Sequence, residues 1–128
     1  GAEGIQAGTL FALTEESSAS KEFKKRCTEL AEGDTMLCLK KIAPTRLIKN
    51  ALYTKLAEAE DKGATADELR EILGRAASKR GIFEGDMESG ELEIGQIASA
   101  IKTIKPVSEV MKELISGFEK AKERVAFL

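Results

Sequence analysis

The residues with chemical potential in this chain sit in a few short stretches. In GAEGIQAGT, residues 1–9, an apolar Ile5 and the amide of Gln6 lead into Gly8 and Thr9. A glycine there lets the backbone come close to a ligand, and a threonine hydroxyl beside freed N–H groups makes a nest for phosphate; the same pattern also serves as a plain turn after a strand. In GDMESGELEIGQIASAI, residues 85–101, Asp86, Glu88, Glu91 and Glu93 lack the alternating oxygen-ligand spacing of a calcium loop. They read as a solvated acidic loop, and no metal site is expected. Gly95 and Gln96 stand at the start of an apolar helix, where the glutamine amide can enter a cavity or cap the helix. Cys27 and Cys38 are too few for a disulfide scaffold and read as buried thiols. The chain has no histidine, so the commonest acid–base side chain and metal ligand is missing. Its residue chemistry alone assigns no catalytic residue.

These groups must be held by one domain of ordinary size. The chain has 128 residues, 33% charged and 42% apolar, with a net charge of −2 and both signs interspersed. That balance is globular and offers no basic footprint for nucleic acid and no cationic helix for a membrane surface. No apolar run approaches the ~18 residues of a membrane span. With no charged-then-apolar leader at its start, the chain is expected to be cytoplasmic.

The hydrophobic pattern predicts the elements. GAEGIQAGT reads as a buried strand closed by a turn, and LFALTEESSAS carries no helical stripe. Ser18 or Ser20 caps a helix whose face is Phe23, Cys27 and Leu30. The short apolar run Met36 to Leu39 reads as a strand. From Thr45 to Gly63 the spacing of Leu47, Ile48, Ala51, Leu52, Leu56 and Ala59 predicts one long helix. Thr65 and Glu68 form a capping box for the next, whose buried face is Leu69, Ile72, Leu73 and Ala76. Glycines 81, 85, 90 and 95 mark an irregular stretch that is ordered only if something packs on it. A short helix around IASAIKTI follows. Pro106 then starts a final helix carrying Val107, Val110, Met111, Leu114, Ile115, Phe118 and Val125, with Gly117 as a point of close packing or weakness.

Four stretches together, GAEGIQAGTLF, EESSASKEFK, DTMLCLKKIAPTRLIKN and EGDMESGELEIGQIASAIKTIKP, resemble in order and spacing the C-terminal part of the nitronate monooxygenase family. That family, formerly 2-nitropropane dioxygenase, has a close relative in the flavin-dependent enoyl-acyl-carrier-protein reductase. The resemblance implies a parent α/β fold, a (β/α)₈ TIM barrel binding FMN, of which this chain is a mostly α-helical C-terminal fragment with two or three short strands. Residues 1–43 would then be the last barrel strand, its helix and an extended segment, 44–80 a helical insertion, and 81–128 a glycine-rich loop with the C-terminal helices.

Carried onto matching positions, the resemblance makes Gln6, Ala7, Gly8 and Thr9 the contacts to the FMN phosphate, where such barrels place phosphate after their last strands. Gly95 and Gln96 become substrate-pocket candidates, with Glu93 and Ile94 behind them. It implies oxidation of alkyl nitronates with O₂ to a carbonyl compound and nitrite, with reduction of an enoyl thioester by NAD(P)H through FMN as the alternative. A non-catalytic helical interaction module is the reading from another class. A small-molecule substrate is the partner expected of the parent enzyme. One strand cannot close a barrel, so the chain alone is expected to be inactive, not to enclose a flavin, and to self-associate through exposed faces.

Overall fold

The computed structural model describes residues 3–126. In chain order the elements are α1 (Thr9–Ala12), α2 (Lys21–Thr28), β1 (Thr35–Cys38), β2 (Thr45–Ile48), α3 (Ala51–Asp61), α4 (Ala66–Leu73) and α5 (Val107–Val125). A π-helical turn, Lys79–Phe83, and a 3₁₀ turn, Gln96–Ala100, lie between the last two. The chain is mostly helical, and β1 and β2 pair antiparallel with Thr35 opposite Ile48 and Cys38 opposite Thr45.

The predicted opening strand is absent among the described residues. Positions 4–7 have no regular structure and Ile5 is 79% exposed, because no neighbouring strand offers them a ladder. The stretch after it, expected to be non-helical, instead forms the four-residue α1.

Leu47 and Ile48 are the second correction. They belong to β2 rather than to the helix that follows, and successive strand residues point to opposite faces. Ile48 therefore joins Leu13, Phe23, Cys27, Leu30, Leu92, Ile94 and Ala98 in one core, while Leu47 joins Cys38, Leu39, Leu52, Leu56, Leu69 and Ala77 in the other. β2 is the wall between two small cores. Helix α3 starts only after Asn50, whose side chain accepts from the Tyr53 N–H at 2.9 Å.

Several local expectations hold. Ser20 caps α2, with Phe23 and Cys27 buried, and Thr65 and Glu68 form the capping box of α4. Gly63, at φ +85°, ends the turn after α3. The face expected of α4 is cut short, because Gly74 and Ala76 both take positive φ. Ala77 is buried in place of Ala76, and Ile72 stays 37% exposed.

Both thiols are buried and free. Burial pushes Cys27 up to about 12, and pushes Cys38, aided by its hydrogen bond to Glu60, up to about 11. Neither is a thiolate near neutral pH. The Glu60 carboxylate also accepts from the N–H groups of Leu39 and Lys40 at 3.2 and 2.7 Å, closing the end of β1 onto α3.

The glycine-rich stretch is ordered because backbone packs on backbone. A Cβ built on Gly90 would lie 2.3 Å from the Gly81 Cα, and one on Gly81 would lie 2.7 Å from the Glu91 carbonyl oxygen. This contact seats residues 92–94 along β2, where Ile48 N–H donates to the Leu92 carbonyl at 2.9 Å and Ile94 N–H to the Arg46 carbonyl at 3.2 Å. The Asp86 Oδ1 accepts from the Glu88 and Ser89 N–H groups in a turn.

Glu91 is the acidic residue of this stretch that the fold buries. Burial raises its carboxyl above the ordinary 4.5, the neighbouring Glu93 charge adds to this, and a hydrogen bond with Ser78 partly offsets both. The folded chain thus binds the Glu91 proton more tightly than the unfolded chain does. Its contribution to stability is greatest at low pH and is lost as pH rises from the ordinary value through the raised one. Glu91→Gln should remove that loss. Urea denaturation of both proteins from about pH 4 to about pH 7 is expected to show the glutamine variant gaining on the parent as pH rises.

Candidate functional site

The Gly8–Thr9 turn and the Gly95 segment, far apart in sequence, meet in the fold. Gly95 N–H donates to the Thr9 hydroxyl oxygen at 3.0 Å. The hydroxyl keeps its own proton for another acceptor. The contact depends on glycine, since a Cβ at Gly95 would fall 2.4 Å from that oxygen.

Around this bond is an open depression of about 450 Å³ whose wall includes Gly8, Thr9, Ala12, Arg46, Glu93 and Gly95. Gly8 is the N-cap of α1 with ordinary negative φ, and no heavy atom lies within 4 Å of where its Cβ would be. Among the described residues the Thr9 and Leu10 N–H groups have no acceptor, whereas the Phe11 N–H donates to the Gly8 carbonyl at 3.1 Å.

Arg46 is the group that sequence reasoning missed. Read as part of a helix, it carried no meaning; in β2 its strand position sets it at the depression. One guanidinium nitrogen donates to the Thr35 carbonyl at 3.1 Å and to the Thr35 hydroxyl at 3.3 Å. Arg46 takes part in none of the ion pairs among the described residues. Its remaining donors are thus not committed to a carboxylate. The opposing charge in this wall is Glu93, whose side chain is exposed to solvent.

Of the residues singled out in the sequence, Gly8, Thr9 and Gly95 come together. Gln6 is exposed and Ala7 half-buried, and neither lines the depression. Gln96 faces a separate depression of about 460 Å³ beside Gly33 and Thr35. Ile94 is buried in the first core and also borders the Arg46 depression. Among the described residues no group of three or more acidic, cysteine or histidine side chains is placed to hold a metal, and no helix is long and apolar enough to cross a membrane.

The donors here suit a phosphate: unpaired N–H groups, a hydroxyl and a guanidinium with donors to spare. They fit the phosphate end of FMN.

Comparison with known proteins sets this geometry in context. Among curated proteins none matches the chain. Among solved structures, FabK from Thermotoga maritima superposes with a TM-score of 0.87 at 28% identity, over 98% of this chain and 40% of that one. A single-residue variant of the same FabK gives 0.80 at 25% identity, over 98% of this chain and 37% of that one. The chain therefore spans well under half the length of these structures. The profile of the nitronate monooxygenase family matches residues 1–117. The chain belongs to the nitronate monooxygenase family.

Proposed function

We propose that this chain forms the phosphate-binding side of an FMN-dependent oxidoreductase that oxidises alkyl nitronates with O₂. The observation that carries the reading is the Gly95–Thr9 hydrogen bond, which sets the two segments singled out by family resemblance around one anion-suited depression. FMN, when bound, supplies the redox chemistry of such an enzyme. The chain's own part is to hold and orient. Thr9 and the N–H groups at the start of α1 donate to the phosphate, and Arg46 supplies the positive charge. Gly95 keeps the Thr9 hydroxyl pointed by occupying its acceptor side.

Reduction of an enoyl thioester is the second reading. It is favoured by the likeness to FabK and by the resemblance of this sequence to the flavin-dependent enoyl reductase. Both reactions use the same phosphate contacts. They separate in an enzyme carrying this segment within a whole barrel: nitronate-dependent O₂ uptake supports the first, and thioester-dependent NAD(P)H oxidation supports the second.

The phosphate contacts are tested on the chain itself. Flavin fluorescence titrations with FMN and with riboflavin should show weak binding of FMN alone, near 1 mM or about 4 kcal/mol, as befits an open site. Thr9→Val should weaken it several-fold. Equal response to riboflavin, or an unchanged response in the variant, would contradict the assignment.

A further inference from the structure

Antiparallel pairing sets directly opposite residues on one face of the sheet, with diagonal neighbours in reach of a long side chain. Thr35 lies opposite Ile48 and Leu37 opposite Arg46, so Thr35 and Arg46 form such a diagonal pair. Thr35 is buried and Arg46 half-buried. The two hydrogens of one guanidinium nitrogen, Nη1, are matched by two acceptors on a single residue. These are the Thr35 carbonyl oxygen at 3.1 Å and the Thr35 hydroxyl oxygen at 3.3 Å.

A guanidinium is planar and carries its N–H donors in a fixed fork. With Nη1 tied to Thr35, the donors left are those on Nε and Nη2. The Nε hydrogen and the nearer Nη2 hydrogen run parallel, the shape that meets two oxygens of one phosphate. Among the described residues Arg46 makes no other side-chain hydrogen bond and no ion pair.

We infer that Thr35 is a positioning residue for the proposed phosphate site. It fixes Arg46 through Nη1 so that the Nε–Nη2 edge is the one offered to the phosphate, a role that rests on the phosphate reading of that depression. Thr35 itself meets no phosphate there: Arg46 borders the depression with Gly8, Thr9 and Gly95, while Thr35 borders the separate one beside Gln96. A bidentate contact needs the plane of the group held. An untied guanidinium gives up its rotamer freedom when the ligand binds, whereas Thr35 settles the orientation on folding. Lysine at position 46 would bring the charge without the fork.

NMR of the ¹⁵N-labelled chain, with FMN and riboflavin as probes, tests this. In the free parent at low temperature the Arg46 Nη1 and Nη2 protons should give separate signals, because the tie slows rotation about the Cζ–Nη1 bond. They should merge in Thr35→Val and stay apart in Thr35→Ser. FMN should shift the Nε and Nη2 signals, leave Nη1 in place, and have no counterpart in riboflavin. Thr35→Val should weaken FMN binding about fivefold, the loss of one ordinary hydrogen bond, and Thr35→Ser should bind like the parent. In an Arg46→Lys background Thr35→Val should cost nothing further, a coupling that general damage at residue 35 would not produce. Merged Nη signals in the parent, unchanged FMN affinity in Thr35→Val, or additive losses in the double variant would overturn the positioning role while the FMN shifts at Thr9 and Gly95 persist. Loss of those shifts in the parent would overturn the phosphate reading, and the positioning role with it.

Discussion

Replacing Gly90 with alanine is expected to be the most damaging single change in this protein. The added methyl would lie 2.3 Å from the Gly81 Cα, 2.4 Å from the Asp86 carbonyl oxygen and 2.6 Å from the Gly81 nitrogen. All three are backbone atoms, so no rotamer change can make room. The π-helical turn and the 86–94 segment must separate, which removes Leu92 and Ile94 from the core they share with Phe23 and Ile48. Overpacking of a buried site usually costs about 1–3 kcal/mol, and a backbone clash belongs at or above the top of that range. A fall in Tm of roughly 10 °C or more is expected for a domain of this size. Gly117→Ala is the control. Apart from the neighbouring backbone of α5 itself, no described heavy atom lies within 4 Å of where a Cβ there would be, so alanine should hold or raise the helix content of α5. Thermal denaturation followed by circular dichroism checks both.

The second large effect is expected at Asn50. Its Oδ1 caps α3 at Tyr53, and its amide donates to the Met87 carbonyl at 3.0 Å and the Gly90 carbonyl at 2.9 Å. One side chain thus starts a helix and fastens the glycine-rich segment to it. Asn50→Ala loses the cap and both donors. The cap accounts for about 1 kcal/mol and the two stranded carbonyls for about 1 kcal/mol or more each, some 3 kcal/mol together. Asn50→Asp separates the two roles, since aspartate keeps the capping oxygen but turns a negative charge toward two carbonyl oxygens. If the amide bonds matter, aspartate should destabilise nearly as much as alanine in urea denaturation. If the cap alone matters, aspartate should match the parent.

The parts of the fold legible in the sequence are those that local chemistry decides. Ser20, Thr65 with Glu68, and the spacing of Phe23 and Cys27 each act within one or two helical turns. Leu47 and Ile48 were not legible in this way. Adjacent apolar residues fit a helix stripe as well as a strand buried on both faces, and the choice depends on β1 and on residues 92–94, which lie elsewhere in the chain. Asn50 is illegible for the same reason, since a helix running through it has no end there to cap. The opening stretch failed in the opposite direction: its composition suits a strand, but strand pairing is a tertiary property that residues 4–7 do not find here.

The candidate site was half legible. Gly8, Thr9 and Gly95 could be singled out by residue type and family resemblance, but their meeting through one hydrogen bond could not. Arg46 was hidden by its assignment to a helix, and becomes visible once β2 alternates its neighbours between two cores. The sequence marks Gln96 by an amide that can enter a cavity or cap a helix; the 3₁₀ turn sets it at the depression beside Gly33 and Thr35.

An NMR titration of the ¹⁵N-labelled chain with FMN, set beside one with riboflavin, tests the proposed phosphate site most directly. FMN should shift the amides of Thr9, Leu10 and Gly95 and the side-chain Nε of Arg46, while riboflavin, with the same rings and no phosphate, leaves them in place. Shifts confined to the surroundings of Gln96, or the same shifts with riboflavin, would contradict the site.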